Sequence, residues 1–204
     1  VHRQPRAATV GCWPRPAPER RGPSRGAPMP VPFTAALPAL LLLPALGGPG
    51  TVVEADFAPA TAFVPPAAIS HAPDVVPYGS RVRVTETRTG TGTAVALELT
   101  GIAPATELAA HVHTGQCGAD PAASGPHYQD AVDPVQPSTD PAYANDRNEV
   151  RLALRTDAAG DGTARTAVHW RFRPGGARSL VLHTVHAEGA HPAGARVACV
   201  NVDF

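Results

Sequence analysis

The feature that most constrains the fold is a series of short segments, after residue 79, in which apolar and polar residues alternate. In residues 93–100, for example, Val95, Leu97 and Leu99 stand at every second position. Such alternation predicts β-strands with one buried face. The segments of this kind are 81–88, 93–100, 107–114, 148–155, 163–172, 179–184 and 196–203. Since no comparable stretch has a helical period, we predict an all-β antiparallel sandwich or barrel of seven or eight strands.

Turn-forming residues separate most of these segments. The sequence TGTG at 89–92 predicts a hairpin between its flanking strands, and DAAGDG at 157–162 predicts a second turn. The exception is the stretch 114–147, which is rich in proline, aspartate and glycine. A loop of that length inside a compact domain is usually functional.

The N-terminal part has a different composition, because 16 of the 24 prolines fall within the first 80 residues. Residues 1–28 are rich in arginine and proline and precede the only methionine, so they are either a disordered segment or sequence upstream of the true start. Residues 29–55 contain an apolar centre at 33–46, which is shorter than the roughly 20 residues of a membrane span. We interpret 29–55 as a secretory signal peptide, with cleavage after Ala55 or near Gly47.

The signal peptide predicts a secreted or cell-envelope protein with no membrane span in its mature form. Residues 56–78 are rich in alanine and proline and predict an extended linker, with an edge strand near 74–76. The remaining residues, 79–204, are enough for one domain. From residue 56 onward the chain has 11 arginines against 15 acidic residues, a net charge of −4. This charge argues against nucleic-acid binding, which requires a basic face.

Two histidines one residue apart, His111 and His113, lie near the end of a predicted strand. Residues two apart on a strand point to the same side and can hold one metal ion, so a copper or zinc site is the first hypothesis. Two cysteines, Cys117 and Cys199, remain once the N-terminal segment is set aside. In an exported domain such a pair usually forms a disulfide, and two buried free thiols are the alternative.

Four motifs carry a resemblance to a known family. They are HVHTGQC at 111–117, GPHYQD at 125–130, ARSLVLHT at 177–184 and GARVAC at 194–199. In order and spacing they resemble the secreted bacterial copper-zinc superoxide dismutases, over about residues 93–204. The resemblance implies an eight-stranded Greek-key β-barrel, related to the immunoglobulin-like sandwich, whose metal site lies outside the barrel wall under a long loop.

The resemblance also implies roles for individual residues. The implied copper ligands are His111, His113, His127 and His183, and His127 matches the histidine that joins copper and zinc in the family. Cys117 and Cys199 match the disulfide of the family. Arg196 matches the arginine that attracts superoxide in the family, and His127 matches a histidine that can carry a proton. Arg196 and His127 are therefore the implied catalytic residues. The implied reaction converts superoxide to oxygen and hydrogen peroxide.

The sequence also departs from the family. The stretch that supplies the zinc ligands in the family contains no histidine here, so we expect copper and no zinc. Oxygen ligands for zinc would have to come from Asp130, Asp133, Asp140 and Asp146. The loop between His183 and Arg196 is short, which resembles copper-only members. Its two histidines, His186 and His191, are either accessory ligands or exposed, and we expect His169 to face solvent.

Three functions therefore remain open. The first is an exported copper-dependent superoxide dismutase. The second is a non-enzymatic exported copper-binding or envelope module with the same fold, and the third is an immunoglobulin-like adhesion domain with incidental histidines. The resemblance implies no particular oligomeric state, because the relatives differ in this respect.

Overall fold

The computed structural model describes residues 50–62, 64–187 and 189–204 of the 204-residue chain. These residues form nine strands and one short 3₁₀ helix, Pro121–Ser124. The strands are β1 (Val52–Pro59), β2 (Ala68–Ser70), β3 (Arg81–Arg88), β4 (Thr93–Thr100), β5 (Glu107–His113), β6 (Arg151–Arg155), β7 (Gly162–Val168), β8 (Ser179–Thr184) and β9 (Arg196–Asn201). Among the described residues, no helix is long and apolar enough to cross a membrane.

The strands form one nearly closed sheet in the order β6-β5-β8-β9-β2-β1-β3-β4-β7. All neighbours are antiparallel except β1 and β2, which are parallel. The chain leaves β7 and crosses to β8, which pairs with β5 in a Greek-key connection. The expected all-β barrel is therefore confirmed.

The alternation in the sequence corresponds to the two faces of the sheet. Val95 and Leu97 are fully buried and Leu99 is 2% exposed, whereas Glu98 between them is exposed. Burying a side chain of this size contributes about 1.5–3 kcal/mol, so the inward faces of the strands supply the main stabilisation. The same alternation continues in β6, where Leu152 and Leu154 point into the core.

Two strands lie where the sequence analysis predicts other structure. β1 begins within the predicted signal peptide and continues into the predicted linker, and β2 lies wholly within that linker. The expected edge strand near 74–76 is wrong, because Val75 and Val76 belong to a turn whose amides bond to the carbonyl of Ala72. β1 has one fully buried residue, Phe57, and β2 is three residues long, so neither has a clear apolar period. Over the part of the chain that the structure describes, the barrel thus has nine strands instead of eight. The predicted segment 1–28 and most of the signal peptide, 29–49, lie outside the described residues.

The long loop between β5 and β6 is fastened to the barrel near its start. Cys117 forms a disulfide with Cys199 of β9, and the Cys117 amide donates to Asn201 Oδ1 at 2.9 Å. The loop then passes through the 3₁₀ helix to Gly125, whose φ is +69°. A Cβ there would lie 2.7 Å from Thr114 Oγ1, so glycine suits both the backbone conformation and the close approach. This folding brings the next residues of the loop back against β5.

Candidate metal centre

Strands β5 and β8 each present histidine on the outer face of the barrel. Leu108, Ala110 and Val112 of β5 are in the core, so the alternating residues His111 and His113 point outward. In the register of the neighbouring strand β8, His111 pairs with Val181 and Ala109 pairs with His183. His183 therefore lies diagonally across from His111 on the same face.

The long loop supplies a fourth imidazole. His127 forms an isolated β-bridge with His113, and the amide of the next residue, Tyr128, donates to the carbonyl of Val112 at 2.7 Å. The ring centroids of His111 and His127 are 4.1 Å apart, and those of His113 and His127 are 4.8 Å apart. One nitrogen of each of the four histidines lies within 4.8 Å of the others. The structure thus brings together His111, His113, His127 and His183.

Hydrogen bonds to the outer ring nitrogens orient three of these imidazoles. His113 Nδ1 lies 2.9 Å from the carbonyl of Gly125, and His183 Nδ1 lies 3.2 Å from the carbonyl of Gly194. His127 Nδ1 lies 3.2 Å from Glu149 Oε2. An oxygen acceptor assigns the proton to Nδ1, which leaves the Nε2 lone pair of each ring free for the cluster.

The inner nitrogens fit a bound cation. With their protons on Nδ1, His113 Nε2 and His183 Nε2 are both acceptors, yet they face each other at 3.2 Å. His111 Nδ1 is buried without a hydrogen-bond partner. Buried acceptors without donors are costly, and an ion coordinated by them would remove that cost. Two nitrogens that each lie about 2.1 Å from one ion are at most about 4.2 Å apart. Since the four ligand nitrogens already lie within 4.8 Å of one another, the rings would need only small movements to bind an ion.

Burial keeps three of these imidazoles neutral. Mainly through burial, with a smaller effect of neighbouring histidines, the pKa of His111 is lowered to about 3, that of His113 to about 2 and that of His183 to about 4. Only a neutral imidazole can donate a lone pair to a metal. His111, His113 and His183 are therefore in their metal-binding protonation state well below neutral pH.

Glu149 is a site residue that the sequence analysis misses. Its side chain is 2% exposed, and its carboxylate contacts His127 Nδ1, Gln129 Nε2 at 2.9 Å and Arg151 Nη2 at 2.8 Å. Burial raises the pKa of Glu149, but these hydrogen bonds outweigh it and lower the pKa to about 2. In the sequence, Glu149 could have been recognised as a carboxylate two positions before Arg151, which pairs with His111. This spacing becomes informative only when the pairing of β5 with β6 is known.

Arg196 begins β9 beside the cluster, where it pairs with His183. Its Nη1 donates to the carbonyl of Pro121 at 3.0 Å and to Ser124 Oγ at 2.8 Å, so the 3₁₀ helix holds the guanidinium. Partial burial lowers the pKa of Arg196 from its usual value. Together with His127 and Glu149, Arg196 lines a cavity of about 90 Å³.

The other candidate residues lie elsewhere. His186 pairs with Glu107 and His191 with Asp74, each at 3.0 Å, so both are bonded to carboxylates outside the cluster. His169 is exposed, as expected. The four candidate aspartates make separate contacts. The Asp133 carboxylate accepts a hydrogen bond from the Ser138 hydroxyl at 2.6 Å, and that of Asp140 accepts one from the amide of Ala142 at 2.8 Å. The Asp146 carboxylate lies 3.7 Å from the guanidinium of Arg151. The backbone amide of Asp130 donates to the carbonyl of Asn148.

The chain is similar in fold to several solved structures and matches no family model or curated protein. Among solved structures the chain is similar to a Cu/Zn superoxide dismutase from Brucella abortus, with 18% sequence identity and a TM-score of 0.42. The alignment covers 76% of this chain and 100% of that one.

Proposed function

We propose that this protein is an exported copper-dependent superoxide dismutase. The observation that carries the proposal is the convergence of His111, His113, His127 and His183 next to a cavity that Arg196 and His127 line together. A metal-binding nitrogen cluster and a fixed cation at one opening are what a small anionic redox substrate requires.

The donor set favours copper. Four imidazole ligands suit copper and zinc, and among divalent first-row metals copper binds nitrogen sites most strongly. When bound, copper supplies one-electron chemistry, by which two superoxide anions and two protons become one oxygen and one hydrogen peroxide. Zinc has no redox chemistry and would leave the cluster without this activity.

Arg196 and His127 have distinct roles in this proposal. The 3₁₀ helix holds the guanidinium of Arg196 through one nitrogen, which leaves its other N–H groups to attract and orient superoxide. The side chain of His127 is 32% exposed, so whenever its Nε2 is not coordinated to the ion it could take up a proton and pass it to the reduced product. Glu149 contacts Nδ1 of His127 and so keeps the ring oriented while Nε2 transfers the proton.

The proposal is tested by loading the purified full chain with one equivalent of Cu(II) and following superoxide decay by pulse radiolysis. Arg196→Ala should bind copper as the wild type does and should lower the rate constant by about tenfold or more, because the steering charge is lost. Arg83→Ala is the matched control, since Arg83 lies on β3 and pairs with Glu54. It should leave the rate constant unchanged. Decay no faster than that of free buffer would refute the enzymatic role.

A second function, a non-enzymatic copper-binding module, is favoured by one observation. His113 is fully buried and His183 is 7% exposed, so much of the cluster is enclosed, as in a site that retains its ion. Tight stoichiometric copper binding without superoxide decay would select this function. Absence of stoichiometric copper binding in equilibrium dialysis would favour the adhesion domain instead.

Export is part of the proposal. The disulfide between Cys117 and Cys199 suits an oxidising compartment, in which such bonds persist. Of the two cleavage positions considered, the one near Gly47 leaves β1 whole, whereas cleavage after Ala55 would remove half of a strand that pairs with β3. N-terminal sequencing of the mature protein should find a start before Val52. A start after Ala55 would contradict this placement.

A further inference from the structure

His127 reaches the cluster from a loop and not from a strand of the sheet, so its position depends on what fixes that loop. On the barrel side, the Tyr128 amide bonds to the Val112 carbonyl and His127 forms a single bridge with His113. These contacts fix the backbone at one edge. On the side of the residues that precede β6, the Gln129 side chain donates to Glu149 and the Asp130 amide donates to the carbonyl of Asn148.

Arg173 adds an attachment at the carbonyl groups of the same segment. Its Nη2 donates to the carbonyl of Gln129 at 2.7 Å and its Nη1 to the carbonyl of Asp130 at 2.7 Å. The Arg173 amide donates to Tyr128 Oη at 2.9 Å, and its guanidinium carbon lies 4.6 Å from the centre of the Tyr128 ring. One side chain thus contacts three consecutive residues that directly follow His127. The planar guanidinium can serve both carbonyls at once, which an ammonium group cannot do as well.

The segment that carries Arg173 is itself held firmly. It connects β7 to β8, and its Trp170 and Phe172 rings pack against Tyr128 with centroid distances of 5.6 and 5.1 Å. Trp170 Nε1 also donates to the carbonyl of Arg147 at 2.7 Å, two residues before Glu149. The segment therefore contacts both the residues that follow His127 and those that precede its carboxylate partner.

We infer that Arg173 is a positioning residue for the metal centre. It fixes residues 128–130 so that His127 presents Nε2 to the other three histidines and Nδ1 to Glu149. Arg173 touches neither the cluster nor the cavity beside it, and acts only through the loop. This inference deepens the proposed function and rests on the metal site assigned there. It does not depend on turnover.

The test compares Arg173→Ala, Arg173→Lys and Arg171→Ala. Arg173 is exposed, so its removal opens no cavity in the core. Arg171 is the matched control, because it is an exposed arginine of the same connection whose Nη2 bonds to the carbonyl of Thr89 instead. In each metal-free variant, nitrogen NMR would follow the His127 ring, and amide hydrogen exchange would follow Tyr128 and Asp130. Chelator competition and EPR would then report the Cu(II) affinity and the coordination of the ion.

For Arg173→Ala we expect faster exchange at the two amides and altered His127 ring signals. Loss of a group that orients a metal ligand lowers metal affinity by about 10–100-fold, and since Arg173 acts one step further out we expect about tenfold. The EPR spectrum should change as well, Arg173→Lys should be intermediate, and Arg171→Ala should match the wild type.

Three results would overturn the inference. One is an Arg173→Ala variant with unchanged His127 signals and copper affinity within about twofold of wild type. Another is an equal effect of Arg171→Ala, and the third is full recovery in Arg173→Lys. If the wild type itself bound no copper, the proposed function would fail. The NMR and hydrogen-exchange data on the metal-free protein would still show whether Arg173 positions His127.

Discussion

His127 Nδ1 and Glu149 Oε2 lie 3.2 Å apart, and this contact joins a partly exposed loop histidine to a buried carboxylate. The Glu149 side chain is 2% exposed, whereas that of His127 is 32% exposed. Because Gln129 and Arg151 also bond to the carboxylate, its position is set independently of His127. The carboxylate thereby fixes both the tautomer and the orientation of the imidazole.

Replacing Glu149 by glutamine should weaken metal binding while the chain still folds. The amide would keep the shape of the side chain. Its NH₂ group, however, would lie opposite N–H donors that bond to a carboxylate oxygen in the wild type. We expect copper affinity to fall by about 10–100-fold, measured by competition with a chelator. The control is Asp146→Asn, since Asp146 is 85% exposed and lies 3.7 Å from Arg151. Wild-type affinity in Glu149→Gln would contradict the orienting role of the carboxylate.

Removing a direct ligand should have a larger effect. In His113→Gln the side chain keeps a similar volume but offers no imidazole to the cluster. We expect a loss of copper affinity of at least about 100-fold, because the change removes a ligand itself and not its supporting group. Isothermal titration would measure this loss. His169→Gln replaces an exposed histidine outside the cluster and should bind copper normally. Equal binding by both variants would show that the ion does not use this cluster.

Metal-free protein should lose stability as the pH falls below about 6.5. In the folded chain the pKa values of His111, His113 and His183, about 3, 2 and 4, lie below the ordinary histidine value of 6.5. Between these limits the unfolded chain binds more protons than the folded chain, so the free energy of unfolding decreases with decreasing pH.

Glu149 adds a loss in the same direction but at lower pH, because its stabilising effect persists until the pH falls below its ordinary pKa of 4.5 towards about 2. The histidine effect is therefore isolated between about pH 6.5 and 4.5. Urea unfolding at several pH values would measure it, with metal removed by a chelator. His113→Gln should show a shallower dependence on pH. A free energy of unfolding that is constant over this interval would contradict the prediction.

Removing the disulfide should destabilise the fold and loosen the site. Cys117 and Cys199 are 82 residues apart in sequence, and closing a loop of that length stabilises by about 4 kcal/mol in the chain-entropy model. We expect a loss of that order in the double variant Cys117→Ala/Cys199→Ala, measured by chemical denaturation. The start of the loop that carries His127 would also lose its attachment to β9, so copper affinity should fall too. Unchanged stability would argue that the bond does not form in the mature protein.

Local sequence patterns predicted most of the strands. Alternation in 81–88 and 93–100 predicted β3 and β4 with the same bounds, because one buried face imposes a period of two. β1 and β2 lacked this signal, since their burial depends on neighbours distant in sequence. β2, for example, pairs with β9, which lies far from it in sequence.

Some residues of the candidate site could likewise be predicted from the sequence, and others could not. Histidines and cysteines can be recognised one residue at a time, and the motif order suggested which of them belong together. Glu149 and Arg173 are ordinary charged residues in sequence, and their roles come from the strand pairing and loop packing that place them beside His127.

The sequence by itself determined the strand-forming segments, the long loop and the residues able to bind a metal, because these depend on residue type and short-range spacing. Only the tertiary structure decided that four imidazoles from three segments share one centre, and which groups orient them. Those relationships depend on contacts such as His113 with His183, 70 residues apart, and a local pattern carries no information on such contacts.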